Sequence, residues 1–452
     1  MKKIRIGHAT AYARDRYSHA TDLVSRGEIN YICFETMSEV TMSSTKVSNF
    51  GKKNPRLFDP NLEARLQPIL KDCMEKGIKI ISNQGWMDPI GAAERLAEIA
   101  REQGVKCKIA AVYNNKDTMQ VLLEKNVGFQ DIPQHIRDFD RDKVLCAEVY
   151  FGADGIKEAL EQGADVVLTT RIVDSALYLG PLAYEFGWDL DDPQLAAKGS
   201  TIGHLMECGC QVSGGTFADP GYKEVEDLGH LGAPIVEVTE EYVHLTKVPG
   251  SGGTVCPASV TEQMLYEITD PACYILPNVV IDFRGIQFRQ VEKDVVEVTG
   301  FRGRPKPEKL KVLVGFLEGY MNEQMVAWNG EGAMERAELC KKVLKDRFEV
   351  VGFHPKEFRM DYVGINSVAR EVTPKEAQAF HPWEVILRLA CKDESKRMCD
   401  LLKEEVDSLA NNGPSFSGKV GTFGAQTRVI IGMRSALIDR EDACEQVLYL
   451  ET

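Results

Sequence analysis

Read from its start, the chain alternates two rhythms of apolar residues. Short β-branched runs occur at IRIG (4–7), NYICFE (30–35), IKIIS (78–82), CKIAAV (107–112), CAEVYF (146–151) and ADVVLT (164–169). Between several of them lie LEARLQPILKDCMEKG, AAERLAEIAREQG and GIKEALEQGA, with apolar residues three and four apart. That spacing gathers one face of a helix. The first two end in Gly77 and Gly104, the residue type that best tolerates the left-handed turn closing a helix. Strand and helix in alternation predict a parallel sheet covered by helices. A doubly wound sheet is the first expectation and a partial (β/α) barrel the second. The pattern does not order the strands.

From about 190 to 260 the chain turns loop-rich and glycine-rich, and from 278 a new pattern begins. Strands VVIDF, KDVVEVTGF and KLKVLVGFL precede two long helices, MERAELCKKVLKDRF and ESKRMCDLLKEEVDSLA, interleaved with RMDYVGI, WEVILRLAC, RVIIGMR and CEQVLYL. Two β-helix-β-like units in 308–450 suggest a separate α+β domain of ferredoxin-like type. The segment RGRPKPEK (302–309), with two prolines and five charges, is the best linker. The expected organisation is an α/β chain. A parallel, doubly wound sheet domain with glycine-rich site loops covers 1–300, and an α+β domain covers 308–452.

Composition narrows the function. The 452 residues are 44% hydrophobic and 27% charged, an ordinary globular balance. A net charge of −14 repels phosphate backbones and anionic lipid heads, so nucleic acid and membrane surfaces are not expected partners. A local basic pocket for one small anion stays compatible with it. The opening MKKIRIGHAT runs directly into a strand pattern without an apolar leader, and no run suits a transmembrane helix. Twelve scattered cysteines without a framework fit a reducing cytoplasm.

Polar residues break the pattern just after strand ends: His8, Glu35 and Glu39, Asn83–Gln84–Gly85, Asn114–Asn115, and Arg171 with Asp174–Ser175. In open α/β sheets ligands bind outside the carboxyl ends of strands, so these residues should converge on one edge. Loop-opening polar residues of no functional meaning are the competing explanation for any one of them. Arg171 suits a bidentate pair with a carboxylate, while Asp174 or Ser175 could cap the following helix. HLMECGCQVSGG (204–215) reads as a helix with Ser200 or Thr201 near its N-cap and Gly209 near its end. His204, Glu207 and Cys208 share a face there. A nucleophilic Cys208 beside His204, a Cys208/Cys210 chelate and a packed cleft-lining helix are the alternatives, and the last is preferred. In PGSGGTV (249–255) the backbone of Ser251, Gly252 and Gly253 could form an anion nest, or simply a tight loop. The Gly/Ser stretch 412–428 resembles a lid or interface loop. No dinucleotide fingerprint or Walker loop is present.

Taken together, SNQG (82–85), TRIVDSALYLGPLAYEFGW (170–188), GHLMECGCQVSGGTFADP (203–220), PGSGGTV and VTEQMLYEITDPACYILPNVVIDF (260–283) resemble the acyclic terpene utilisation, AtuA-like, family. The resemblance spans roughly residues 3–350, with the rest as the family's usual C-terminal portion. It implies bacterial-type catabolism of branched unsaturated acids, geranyl-type acids among them. It also implies a separate small subunit of about 100 residues, one domain's worth. A homo-oligomer is expected as well. The family usually has a small residue at Cys210 and often serine at Cys256, which removes those two from shared chemistry; Glu207 and Cys208 match.

Such acids are hydrated or dehydrated by a base at one carbon and an acid at the other, with the carboxylate or thioester oxygen held. The leading expectation is a hydro-lyase on a small branched unsaturated or hydroxy acid. Its proton carriers would be His8, Glu35, His204, Glu207 and Cys208. Its substrate holders would be Arg171, Asp174, Ser175, Asn83, Gln84, Gly85, Ser251, Gly252 and Gly253. The alternatives are a carbon–carbon lyase on a 3-hydroxyacyl-CoA and a non-catalytic subunit of a two-component enzyme. No dinucleotide is expected; a divalent cation held by Glu35, Glu39 or Asp174 is left open.

Overall fold

The β-branched runs form strands where alternation places them: β1 (Ile4–Thr10), β2 (Tyr31–Phe34), β3 (Lys79–Ser82), β4 (Lys108–Asn114), β5 (Val144–Val149) and β6 (Val166–Thr169). The computed structural model describes residues 1–48, 56–378, 382–415, 418–419 and 425–452. It divides into two units, Met1–Gly315 with Met433–Thr452, and Phe316–Gly432.

In the first unit β1, β2, β3, β6 and β4 lie side by side in that order, all parallel. The sheet as a whole is mixed rather than parallel throughout. Beyond β1 it continues antiparallel through β7 (Pro234–Val238), β8 (Val243–Lys247) and the hairpin Val295–Thr299/Gln287–Glu292. Beyond β4 it ends on the antiparallel strand Glu445–Glu451. β5, expected among the parallel strands, pairs instead with Lys309–Asn329. Periodicity marks a strand without naming its neighbour.

Strand alternation sorts the helices onto two faces. Ile32 and Phe34 pack with Ile80, Ile109 and Leu168 against α1 (Ser18–Arg26), α3 (Leu62–Leu66), α4 (Leu70–Lys76) and α5 (Pro89–Glu102). Residues of opposite parity meet α8 (Ala176–Phe186): the Tyr31 hydroxyl donates to Glu185 Oε1 at 2.6 Å and Cys33 Sγ lies 3.4 Å from the Leu177 carbonyl. α9 (Pro193–Met206) crosses α8 closely, because a Cβ on Gly203 would sit 2.5 Å from Ser175 Cα. Gly77 and Gly104 take the expected left-handed conformation, at φ +68° and +66°.

Among the described residues the second unit runs strand, long helix, strand, short helix (Lys375–Gln378), strand and long helix before its closing strands, with Glu384–Asp393 antiparallel to both Lys309–Asn329 and Glu357–Tyr362. Its helices Ala333–Val351 and Lys396–Asn412 share a core with Val326, Trp328, Leu387 and Leu389. The expected linker is not free chain, since Gly303–Arg304 pairs with Val280–Ile281. Much of the 412–428 stretch lies outside the described residues. Among the described residues no helix is long and apolar enough to cross a membrane.

Candidate functional site

Because β1, β2, β3 and β6 are neighbours and parallel, whatever follows their carboxyl ends must meet at one edge. His8 lies near the end of β1, Glu35 follows β2, Asn83 follows β3, and Arg171 and Asp174 follow β6. His8, Asn83 and Arg171 are buried to within 2% of full burial. The strand-end reading therefore places these five together.

Arg171 is the centre of the arrangement. Its Nη1 donates to the Ile172 carbonyl and to Asp174 Oδ1, each at 2.6 Å, and its Nη2 donates to the Tyr150 hydroxyl at 2.7 Å. The guanidinium also lies over the Tyr150 ring, 4.0 Å from its centroid. Its Nε–H is buried and unpartnered. Tyr150 in turn donates to Glu39 Oε1 at 2.6 Å. Glu35 Oε1 accepts from the Met37 amide at 2.8 Å and from Asn83 Nδ2 at 3.2 Å, and Asn83 Oδ1 accepts from the Thr36 amide at 2.8 Å.

These carboxyls do not share one protonation state. Burial, then the charge of Asp174, pushes Glu35 well above the ordinary carboxylate range, against Arg171 and Asn83. Burial also raises Asp174, to about 6, with Arg171 opposing and Glu207 assisting. Burial opposes the charge on Glu39 too, but the Tyr150 hydroxyl and Arg171 hold it below its usual range.

His8 points to the α8 face, where its Nδ1 is 2.6 Å from the Tyr178 hydroxyl and the two rings stack. Burial lowers its pKa to about 4, so the imidazole is neutral, and Nε2 has no partner. The HLMECG segment closes this side. Its helix starts earlier than expected, capped by Asp192 before Pro193 rather than by Ser200 or Thr201; an acidic cap followed by proline is the stronger start signal. Gly209, at φ +57°, turns the chain so closely past His8 that a Cβ would lie 3.4 Å from the imidazole Cδ2.

Other expected members serve different ends. Both nitrogens of His204 are engaged, Nδ1 at 3.2 Å from Glu207 Oε1 and Nε2 at 2.9 Å from the Met264 carbonyl. Burial opposes its charge, yet Glu207 raises its pKa overall. His204 thus positions Glu207 instead of offering a free nitrogen. Burial and the Glu207 charge push the Cys208 thiol up, opposite to what a thiolate nucleophile needs. Gln84 turns to Asp59, donating at 2.8 Å, and Gly85 packs against Thr169 and Pro89. Ser175 heads α8 without a side-chain cap bond, and Asp174 Oδ1 accepts from Arg171 rather than capping that helix. In the glycine loop Ser251, Gly252 and Gly253 donate their amides to Val248, His230 and Glu226 carbonyls, so the nest is filled by the chain itself.

Tyr150 and Tyr178 were not singled out by sequence, nor was His19, whose ring nitrogens lie 3.7 and 3.8 Å from Cys210 Sγ. Aromatic residues in apolar runs read as core. For Tyr178, only its place in the family-like motif TRIVDSALYLGPLAYEFGW set it apart. All twelve cysteines are free. Among the described residues no three His, Cys, Asp or Glu side chains are grouped to hold a metal ion.

Comparison with known proteins adds one firm relation. A family model described as acyclic terpene utilisation family protein AtuA matches residues 4–449. No curated protein sequence matches the chain. A crystal structure from Parabacteroides merdae, described provisionally as an oxidoreductase, is 9% identical over 65% of this chain and 85% of its own, at a TM-score of 0.10, too low to carry an argument.

Proposed function

Since the chain belongs to the acyclic terpene utilisation AtuA family, we propose that it is a hydro-lyase acting on a small branched unsaturated or hydroxylated carboxylic acid. The observation that carries the reading is the separation of three carboxyls around one guanidinium: Glu35 driven toward its protonated form, Asp174 at about 6 and Glu39 held ionised. Neighbouring carboxyls pushed apart in this way supply an acid and a base at one pH.

In this scheme the substrate's acid group accepts from the Arg171 Nε–H, which lacks a protein partner. That contact stabilises the enolate-like charge of the reaction. Asp174 takes the proton from the carbon beside the acid group. Glu35 gives its proton to the hydroxyl leaving the next carbon, so a carbon–carbon double bond forms and water departs. Hydration is the same path reversed. The neutral His8 imidazole, fixed through Nδ1 by Tyr178, uses Nε2 to orient that water.

The test is turnover in deuterium oxide, followed by NMR, with the full chain and a panel of branched 2-enoic and 3-hydroxy acids, free and as thioesters. Water addition with deuterium at the α-carbon is expected. The rate should rise with pH as Asp174 ionises through about 6 and fall once Glu35 loses its proton. Arg171→Ala and Glu35→Gln should each lower kcat/KM by about a hundredfold or more. Unchanged rates in both folded variants would remove the chemistry from this cluster. No exchange with any acid or thioester would favour the non-catalytic subunit.

A further inference from the structure

A second place on the same sheet edge is lined differently. A cavity of about 460 Å³ opens at the carboxyl ends of β3, β4 and β6, bordered by Met87–Ile90, Tyr113, Asn114, Lys116–Met119, Val144–Glu148 and Thr170. Its size is within the range of small-ligand sites. Lys46, Lys116 and Arg141 all line it, an unusual gathering of cations in a chain of net charge −14. Among the described residues neither the Lys46 nor the Arg141 side chain has a hydrogen-bond or ion-pair partner. Lys116 Nζ donates only to the Glu441 backbone carbonyl, which leaves its charge unneutralised.

The carboxyls in the lining do not cancel these charges. Asp88 and Asp117 are N-caps of α5 and α6 (Thr118–Lys125), accepting from the Gly91 amide at 2.9 Å and the Gln120 amide at 3.0 Å. Helix ends capped by their own aspartates offer little to an anion, so the lysines and arginine carry the argument. Glu148 is raised by burial to about 7, with the Lys46 charge opposing. Below neutrality it is mostly protonated, and a protonated carboxyl donates a hydrogen bond to an incoming oxygen.

We propose that this cavity is a second ligand site, separate from the Arg171 cluster, that binds a phosphate group, held by Lys46, Arg141 and Lys116. Three cations lining one cavity exceed what one carboxylate requires and match a phosphate dianion. The site stands whether or not the reaction proposed above is right, because none of its cations belongs to that cluster.

Titration calorimetry on the full chain tests it with three probes: inorganic phosphate, glycerol phosphate and succinate. Binding of inorganic phosphate alone supports the site and identifies the free ion. Binding of glycerol phosphate supports it and extends it to esters. Lys46→Met and Arg141→Ala should each weaken binding about tenfold, the loss of one charge-assisted contact. Lys71→Ala, at an exposed i,i+4 pair with Glu75, should leave it unchanged. Melting of each unliganded variant confirms folding. Succinate binding as tight as phosphate would overturn the assignment. So would the absence of heat with both inorganic phosphate and glycerol phosphate, or affinity that survives both substitutions.

Discussion

His8 shows how a single buried side chain ties folding to pH. Its pKa falls from 6.5 to about 4 on folding, chiefly through burial. The folded state therefore binds fewer protons than the unfolded one between those values. Stability from this residue is fully present above 6.5 and is lost as pH drops through 4, by about 3 kcal/mol in total. Denaturant midpoints measured from pH 7.5 to 4 should show this acid limb in the wild type. His8→Asn should flatten it, and an unchanged slope would mean that folding does not shift the His8 pKa. The residue was visible in the sequence as a polar break after IRIG, as were Glu35, Asn83 and Arg171. What could not be read was each one's partner. Tyr178 and Tyr150, which fix His8 and Arg171, sit in runs where an aromatic residue is ordinarily core. The glycines at 250–253 failed in the opposite sense. Their flexibility was plain, but the carbonyls that take up their amides come from residues as distant as Glu226.

At the scale of elements, the junction between α7 (Asp154–Glu161) and the strand Glu445–Glu451 responds to pH. Glu445 Oε2 accepts from the Gly155 amide at 2.9 Å, capping α7 from the far end of the chain. Oε1 is buried without a partner. Burial, then Asp154, raises this carboxyl to about 8. A raised carboxyl favours the fold most below its unfolded value of 4.5 and loses that contribution as pH climbs to 8. Glu445→Gln keeps the acceptor for Gly155 without the ionisation. The variant should gain melting temperature over wild type at pH 8.5, with little difference at pH 5. An equal shift at both would remove Glu445 from the pH response. A second element-scale prediction concerns the α8–α9 crossing. Gly203→Ala forces a Cβ to within 2.5 Å of Ser175 backbone and should cost about 1–3 kcal/mol, the usual price of overpacking, read as a lower denaturant midpoint. Helix identity was legible here from apolar spacing, and Gly77 and Gly104 marked two ends correctly. The α9 start was missed because Ser200 and Thr201 are good cap types, whereas Asp192–Pro193 lies eight residues earlier. Local signals compete, and the tertiary contact decides.

For the molecule as a whole, the chain leaves its first unit along Lys309–Asn329 and re-enters it along Arg428–Asp439, so the last strand completes the first sheet. Nothing in CEQVLYL announces this, because a strand's period gives its faces and not its sheet. The consequence can be tested with two shortened chains. One stops at Gly315; the other deletes 316–432 and joins Gly315 to Met433 by a short glycine–serine linker. The first loses Glu445–Glu451, exposing β4 as an unprotected edge prone to pairing with other chains. It also loses Thr452, whose Oγ1 accepts from the Cys107 amide at 2.9 Å, and the Leu448 and Leu450 side chains packed on the main core. The second keeps all of these. The joined chain should stay soluble, unfold cooperatively and protect Cys107 from a thiol reagent, while the stopped chain aggregates and reacts rapidly at that cysteine. If both protect Cys107 equally, the returning strand is an ornament on a sheet that is complete without it.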